Sequence, residues 1–375
     1  MRRWIALAAL VCLLLTGCGQ SQEKSGLGNG WEPEGMMPLD YAHEFSVAYY
    51  PENCKLITLS DGSRFLVVPE NGQVPKGIAR DIRVLHQPVE NIYLAATAAM
   101  CLFDGLDRMD SLRLSGTKQE GWYIDSARQA MAQGKLLYAG KYNQPDYELI
   151  LRENCQLAVE STMIGHASDV KQKLEELGIP VLVDQASHET HPLGRTEWIK
   201  LYGVLLGEEE KALELFHQQK AYLEQASQGE RTGKTVAFFY ISSTGNAVVR
   251  KSGDYVCKMI DLAGGEYVFQ DLGDPEKATS TVNMEMEKFF ATAKDADIII
   301  YNSAISGQVE HLADLVAKNP LLEQFRAVQT GNVWCTSQNM YQEILQLGQM
   351  TQQLRQIFTA EDPNTLELSF FTHLV

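Results

Sequence analysis

The chain has 375 residues, 45% of them apolar, with 32 Lys and Arg against 48 Asp and Glu, a length that holds two lobes and excludes a large multidomain machine. A formal net charge of -16 argues against a nucleic-acid binder, which needs basic patches to displace counterions from phosphates. Seven cysteines, none in CxxC spacing, are too few for a disulfide scaffold and offer no zinc or redox motif.

The chain opens on Met1-Arg2-Arg3, and Trp4 to Leu15 is an apolar run of about the length of a signal h-region, too short to span a bilayer. It ends in Leu15-Thr16-Gly17-Cys18, which resembles the lipobox of bacterial lipoproteins, and the resemblance implies cleavage after residue 17 and acylation of Cys18. The cut removes two arginines and no acid, leaving 30 basic against 48 acidic residues, a net of -18. Residues 18–40, glycine-rich and poor in large apolar side chains, read as a flexible tether.

Phe45–Tyr50 and Lys55–Val68 are rich in Val, Ile, Tyr and Phe, and Asp61-Gly62 inside the second stretch signals a hairpin, so 45–69 reads as an extra β-hairpin on an N-terminal lobe of 41–205. Ile82–Leu85 and the Ala-rich segment Ile92–Phe103 then begin an alternation of short apolar strands and helices, which argues for a mainly parallel α/β sheet. Helix Asp146–Glu153, strand Gln156–Glu160, helix Asp169–Leu177 with Gly178 as its stop, and strand Ile179–Val183 continue it. Leu193–Ser227 is long, dense in Leu, Glu, Lys and Gln, and only weakly broken by Gly203 and Gly207; its 206–230 part reads as a helix joining two lobes. The alternation restarts at strand Thr235–Ile241 and runs through helix Tyr255–Leu262, helix Met284–Ala293, strand Ile298–Tyr301, helix Val309–Lys318, strand Asn332–Cys335 and helix Ile344–Phe358, a C-terminal lobe of 231–375.

The chain contains no Walker loop, no GxGxxG after a strand, no HExxH and no GxSxG, so the common signatures of nucleotide, zinc and serine chemistry are missing. Lipobox, α/β lobe, long helix and second α/β lobe together resemble the substrate-binding lipoproteins of ABC importers, in the subclass for iron–siderophores, haem and cobalamin. The phrases that carry the likeness are Pro145-Asp146-Tyr147-Glu148-Leu149-Ile150-Leu151, Pro192-Leu193-Gly194-Arg195-Thr196-Glu197-Trp198, and Ser280–Ala291 followed by Asp295-Ala296-Asp297-Ile298-Ile299-Ile300.

The resemblance implies two Rossmann-like lobes on one long helix, a metal-chelate ligand in the cleft between them, a monomer with no cofactor, and no bond made or broken. It implies partners in an ABC permease and its ATPase, and a lipid anchor on the extracytoplasmic face. One carboxylate per lobe docks such proteins to the permease, which points to Glu148 and to Glu285 or Glu287. Cleft candidates sit on the expected strand-to-helix loops: Trp122, Tyr123, Glu160, Ser161, His188 and His191 in the N-terminal lobe, then Arg195, and Tyr240, Arg250 and Tyr301 in the C-terminal lobe. Neutral His188 and His191 offer imidazoles to the metal of a bound chelate, and His191 equally suits a helix cap. Trp122 and Tyr123 suit a macrocycle face or core packing alike. Five cysteines remain after maturation, an odd number, so at least one is a free thiol. A surface metallo-enzyme or a sensor lipoprotein on the same two-lobe fold is the alternative.

Overall fold

A computed structural model describes residues 26–28, 30–275, 277 and 281–375; the expected signal segment and the expected lipidation at Cys18 lie outside them. The first sheet runs β1 (Gly35–Met36), β2 (Phe45–Tyr50), β3 (Cys54–Leu59), β4 (Arg64–Val68), β5 (Ile82–His86), paired in that order. The Asp-Gly hairpin forms between β3 and β4: Gly62 has φ of 84°, and the Leu59 and Gly62 amides each close the turn at 2.9 Å. The hairpin is thus one part of a larger sheet. Ile82–Leu85, expected to open the α/β layer, instead pairs parallel with β4, Arg64 opposite Ile82.

The N-terminal lobe begins at β6 (Ile92–Leu94), where β-branched and aromatic side chains make a central strand out of the start of the Ala-rich segment. It continues through α1 (Met100–Gly105), β7 (Leu112–Ser115), α2 (Asp125–Ala132), β8 (Leu137–Tyr138), a ribbon of β9 (Gly140–Lys141) and β10 (Gln144–Pro145), α3 (Tyr147–Arg152), β11 (Ala158–Ser161), α4 (Ser168–Glu176) and β12 (Val181–Asp184). Its sheet has the order β12-β11-β6-β7-β8, and every pair in it is parallel.

Helices α5 (Pro192–Leu206) and α6 (Glu209–Ser227) follow, with α6 inside the expected 206–230 connector. Gly207, at φ of 76°, ends α5 in a left-handed cap, the conformation that only glycine adopts cheaply. A Cβ on Gly203 would come within 2.7 Å of Ala212 Cβ, so the two helices pack closely there. Every residue of α5 except Arg195 is buried, as expected of a helix with core on all sides.

The C-terminal lobe comprises β13 (Thr235–Ile241), β14 (Ala247–Arg250), α7 (Tyr255–Leu262), β15 (Glu266–Tyr267), β16 (Thr281–Met284), α8 (Met286–Ala293), β17 (Ile298–Tyr301), α9 (Ser303–Ser306), α10 (Leu312–Lys318), α11 (Arg326–Gln329), β18 (Val333–Thr336), α12 (Leu347–Thr359) and β19 (Phe371–His373). Parallel β13, β17 and β18 form its centre, and antiparallel β14, β16 and β19 extend the edges.

The part of the expected tether before residue 26 lies outside the described residues, and the part after it is not a tether. Leu27 is fully buried, and Met36 of β1 pairs with Ala48. Two buried carboxylates on or beside α5 hold the chain just after it. Glu197 accepts the amides of Asp40, Tyr41 and Ala42 at 2.7–3.1 Å and the Lys200 ammonium at 2.6 Å. Glu189 accepts those of His43 and Glu44 at 2.9 and 3.0 Å. A buried carboxylate is tolerated only when saturated in this way, so 40–44 is riveted to the lobe.

Candidate functional site

A cavity lies beyond the C-terminal strand ends of each lobe sheet, and the one on the C-terminal lobe is also lined by Tyr123 of the N-terminal lobe. The first, about 350 Å³, lies beyond β6, β7 and β8 and is lined by Thr97, Thr117, Lys118, Glu120, Tyr138 and Tyr142 among others. Gly116 makes it possible: a Cβ there would sit 2.9 Å from Ala95 Cα, so a larger residue would push the two strand ends apart. Lys118 Nζ lies 5.7 Å from the centroid of the Tyr138 ring, a cation and aromatic surface on one wall. The second cavity, about 410 Å³, lies beyond β18 and is lined by Gln308, Val309, Glu310, Thr336, Ser337 and Asn339, with Tyr123 of the other lobe opposite. The side-chain hydroxyls of Thr336 and Ser337 are buried and have no hydrogen-bond partner among the described residues.

Gln342 joins the two lobes. Its Oε1 accepts the Tyr123 amide at 2.8 Å and its Nε2 donates to the Gly121 carbonyl at 2.8 Å. Both ends of one amide are thus used to hold 121–123 of the N-terminal lobe against the C-terminal lobe. Beside it, burial pushes the Glu343 carboxyl up to about 7.

Of the ten cleft candidates taken from the sequence, Tyr123 is the one that lines these cavities, and it is 43% exposed. Trp122 is a core residue, 1% exposed, with Nε1 donating to Ser115 Oγ at 3.2 Å. Tyr301 is fully buried, its phenol 2.6 Å from Ser306 Oγ. Glu160 is fully buried, its two oxygens unpartnered among the described residues, and burial pushes its carboxyl up to about 8, which keeps it neutral at pH 7. Ser161 caps the turn Thr162–His166.

The two histidines do not converge. His191 Nδ1 accepts the Leu193 amide at 3.1 Å, so this ring is the cap of α5. It stacks on Tyr41 with centroids 4.5 Å apart, and burial together with the charge of Lys258 pushes it down to about 4, so it stays neutral. It borders a separate hollow of about 330 Å³ on the flank of the C-terminal lobe. His188 is half exposed, with Nδ1 4.0 Å from Glu44. Among the described residues no group of His, Cys, Asp and Glu could hold a metal ion.

The basic candidates are also structural. Arg195 lies 4.0 Å over the Tyr255 ring and donates to the carbonyls of Glu189 and Ser187 at 3.0 and 2.8 Å, which pins α5 to α7. Arg250 pairs with Asp254 at 3.2 Å and bonds the Tyr341 phenol, which also receives Asn302 Nδ2 at 2.6 Å. Tyr240 is half-buried against the core. Cys54, Cys101, Cys155, Cys257 and Cys335 are all free thiols.

Lys118, Tyr138, Tyr142, Thr336 and Gln342 were missed by the sequence reading. Gly-Thr-Lys directly after Leu112–Ser115 was the available signal for the first of them, since ligands in α/β sheets bind at strand C-termini.

Two α/β lobes with cavities at their strand C-termini define a two-lobed binding protein. Residues 113–355 match the periplasmic binding protein family model, and the chain belongs to that family. Two uncharacterized lipoproteins of Methanocaldococcus jannaschii are similar to it: one is 25% identical, covering 90% of this chain and 87% of its own, the other 24%, covering 82% and 78%. Among solved structures, the haem-binding protein HutB of Vibrio cholerae is 20% identical with a TM-score of 0.57, over 71% of this chain and 98% of its own. The vitamin B12-binding protein BtuF of Vibrio cholerae is 17% identical with a TM-score of 0.51, over 72% and 97%. A protein of the Fe3+-hydroxamate transport system of Saccharomonospora viridis is 19% identical with a TM-score of 0.55, over 73% and 94%. No helix among the described residues is long and apolar enough to cross a membrane.

Proposed function

We propose that this protein is the extracytoplasmic, lipid-anchored binding component of an ABC importer, and that it captures a metal chelate of the haem, corrinoid or siderophore class between its lobes. The observation that carries the reading is a cavity at the strand ends of each lobe, the two walled by Tyr123, Tyr138 and Tyr142 with Lys118 and Lys141. Flat aromatic faces suit a macrocycle or catecholate, and the lysines suit its carboxylates or phosphates. The bound solutes named for HutB, BtuF and the hydroxamate system support the same class. The mechanism is capture, closure and release, with no covalent step.

Glu148 and Glu287 are the docking pair of this reading. Each is exposed, and each is the second residue of its helix, after Asp146 and Glu285 in the cap positions. That equivalence across the lobes favours Glu287 over Glu285. Visible-spectrum titration of the protein with hemin, cobalamin and a ferric hydroxamate tests the ligand class: saturable binding of one is expected, and none with any of the three removes it. Charge reversal at Glu148 and Glu287 is expected to abolish uptake while leaving that titration unchanged.

A further inference from the structure

The sheet β1–β5 precedes the segment matched by the family model, which begins at residue 113. Its inner face packs Phe45, Val47, Ile57 and Val67 onto the core of the lobes. Its outer face, with Tyr50, Leu56, Leu66 and Val68, is covered by the start of the described chain, where Leu27 is the plug. The fit around Leu27 is close. Gly26 has φ of 73° and its carbonyl accepts the Ala79 amide at 2.6 Å; a Cβ on Gly28 would lie 2.3 Å from the Lys76 carbonyl. The chain therefore enters the body at a fixed point, beside β4, β5 and the loop between them.

Charge provides the second observation. Residues 64–86 around that point carry Arg64, Lys76, Arg80 and Arg83 against Glu70 and Asp81, an excess of two positive charges in a chain of net -16. Lys76, Arg80 and Arg83 are exposed, and so is Val74, at 38%.

We propose that this basic edge is a membrane-facing surface that rests on an anionic lipid bilayer and sets the orientation of the protein on it. The proposal depends on the reading of Cys18 as the acylated residue. Seven residues, or eight Cα–Cα steps, separate Cys18 from Gly26, a reach of at most about 28 Å. A globular body of this size is about 50 Å across, so the leash is shorter than the body and only the surface near Gly26 can meet the headgroups. An anionic surface attracts cations held beside it, and the effect decays within a Debye length of about 8 Å. The same surface repels the acidic remainder of the chain, so attraction and repulsion favour one orientation.

The test uses the full lipidated protein in phosphatidylcholine vesicles, with or without phosphatidylglycerol, carrying nitroxide-headgroup lipids as quenchers. A bimane label is placed at Val74→Cys or, as a distant control, at Ile305→Cys in the C-terminal lobe, and the parent chain reports the background from native thiols. Quenching of the Val74 label several-fold above the Ile305 label is expected in the anionic vesicles. The contrast is expected to collapse in high salt and in Lys76→Glu/Arg80→Glu/Arg83→Glu, whose thermal midpoint serves as the folding control. Equal quenching of the two labels on membrane-bound protein overturns the orientation and leaves the anchor standing. If Cys18→Ala floats with the vesicles as well as the parent chain does, the anchor reading fails and the orientation fails with it.

Discussion

Replacing Gln342 with alanine removes both bonds that hold residues 121–123 to the opposite lobe. Each is 2.8 Å long, and the Gln342 side chain lies between buried surfaces, 7% exposed. A hydrogen bond of this kind contributes about 0.5–1.5 kcal/mol net, so the pair holds the two lobes together by about 1–3 kcal/mol. The opening equilibrium then shifts by about 5- to 150-fold. Amide hydrogen exchange reads this directly: the amides of 119–123 and 337–346 are expected to exchange faster by that factor in Gln342→Ala, while those of β11 and β17 keep the parent rate. Gln342→Glu separates the two bonds, because a carboxylate still accepts the Tyr123 amide but donates nothing to the Gly121 carbonyl, and an intermediate rate is expected. If exchange in 119–123 is unchanged in Gln342→Ala, the amide does not couple the lobes and the reasoning fails.

Other substitutions separate wall from core. Trp122→Ala is expected to cost about 3–5 kcal/mol in denaturant unfolding, as for a fully buried large aromatic, whereas Tyr123→Ala leaves stability within about 0.5 kcal/mol and weakens ligand binding. Glu197→Ala strips the acceptor from three backbone amides and leaves the buried Lys200 without its carboxylate; a loss of about 3–5 kcal/mol and faster exchange of the 40–42 amides are expected. Glu160, with its folded value raised to about 8, favours the native state fully below the unfolded carboxyl value, and that contribution is lost as pH rises through about 8. Thermal midpoints between pH 5 and pH 9 are expected to fall more steeply for the parent than for Glu160→Gln; parallel curves would refute the buried, neutral carboxyl.

The parts legible in the sequence are those governed by local pattern. The Asp61-Gly62 turn, the Gly178 stop and the βα alternation after residue 231 fall where spacing places them, because turn chemistry and apolar period act over a few residues. Ile82–Leu85 was misplaced because a short apolar strand carries no mark of which sheet it joins; its partner β4 is decided by the tertiary packing. The early tether was misread for the opposite reason: Leu27 is a lone apolar residue among glycines, and its burial depends on a sheet formed far along the chain. The site itself was the least legible. Trp122 and Tyr123 are adjacent, yet one fills the core and the other faces the cavity, a choice that the alternation of side chains makes and composition does not. His188 and His191 looked like a ligand pair by spacing, but the second is consumed as a helix cap.

The central claim is that the cavities between the lobes hold a metal chelate, and the most direct measurement is calorimetric titration of the protein, in parallel with its Tyr123→Ala and Lys118→Ala variants, with hemin, cobalamin and a ferric hydroxamate. One of the three is expected to bind at a single site with micromolar or tighter affinity, and at least about tenfold more weakly in both variants, a loss of about 1.4 kcal/mol. Binding that is absent for all three, or equal in the parent and both variants, would contradict the account.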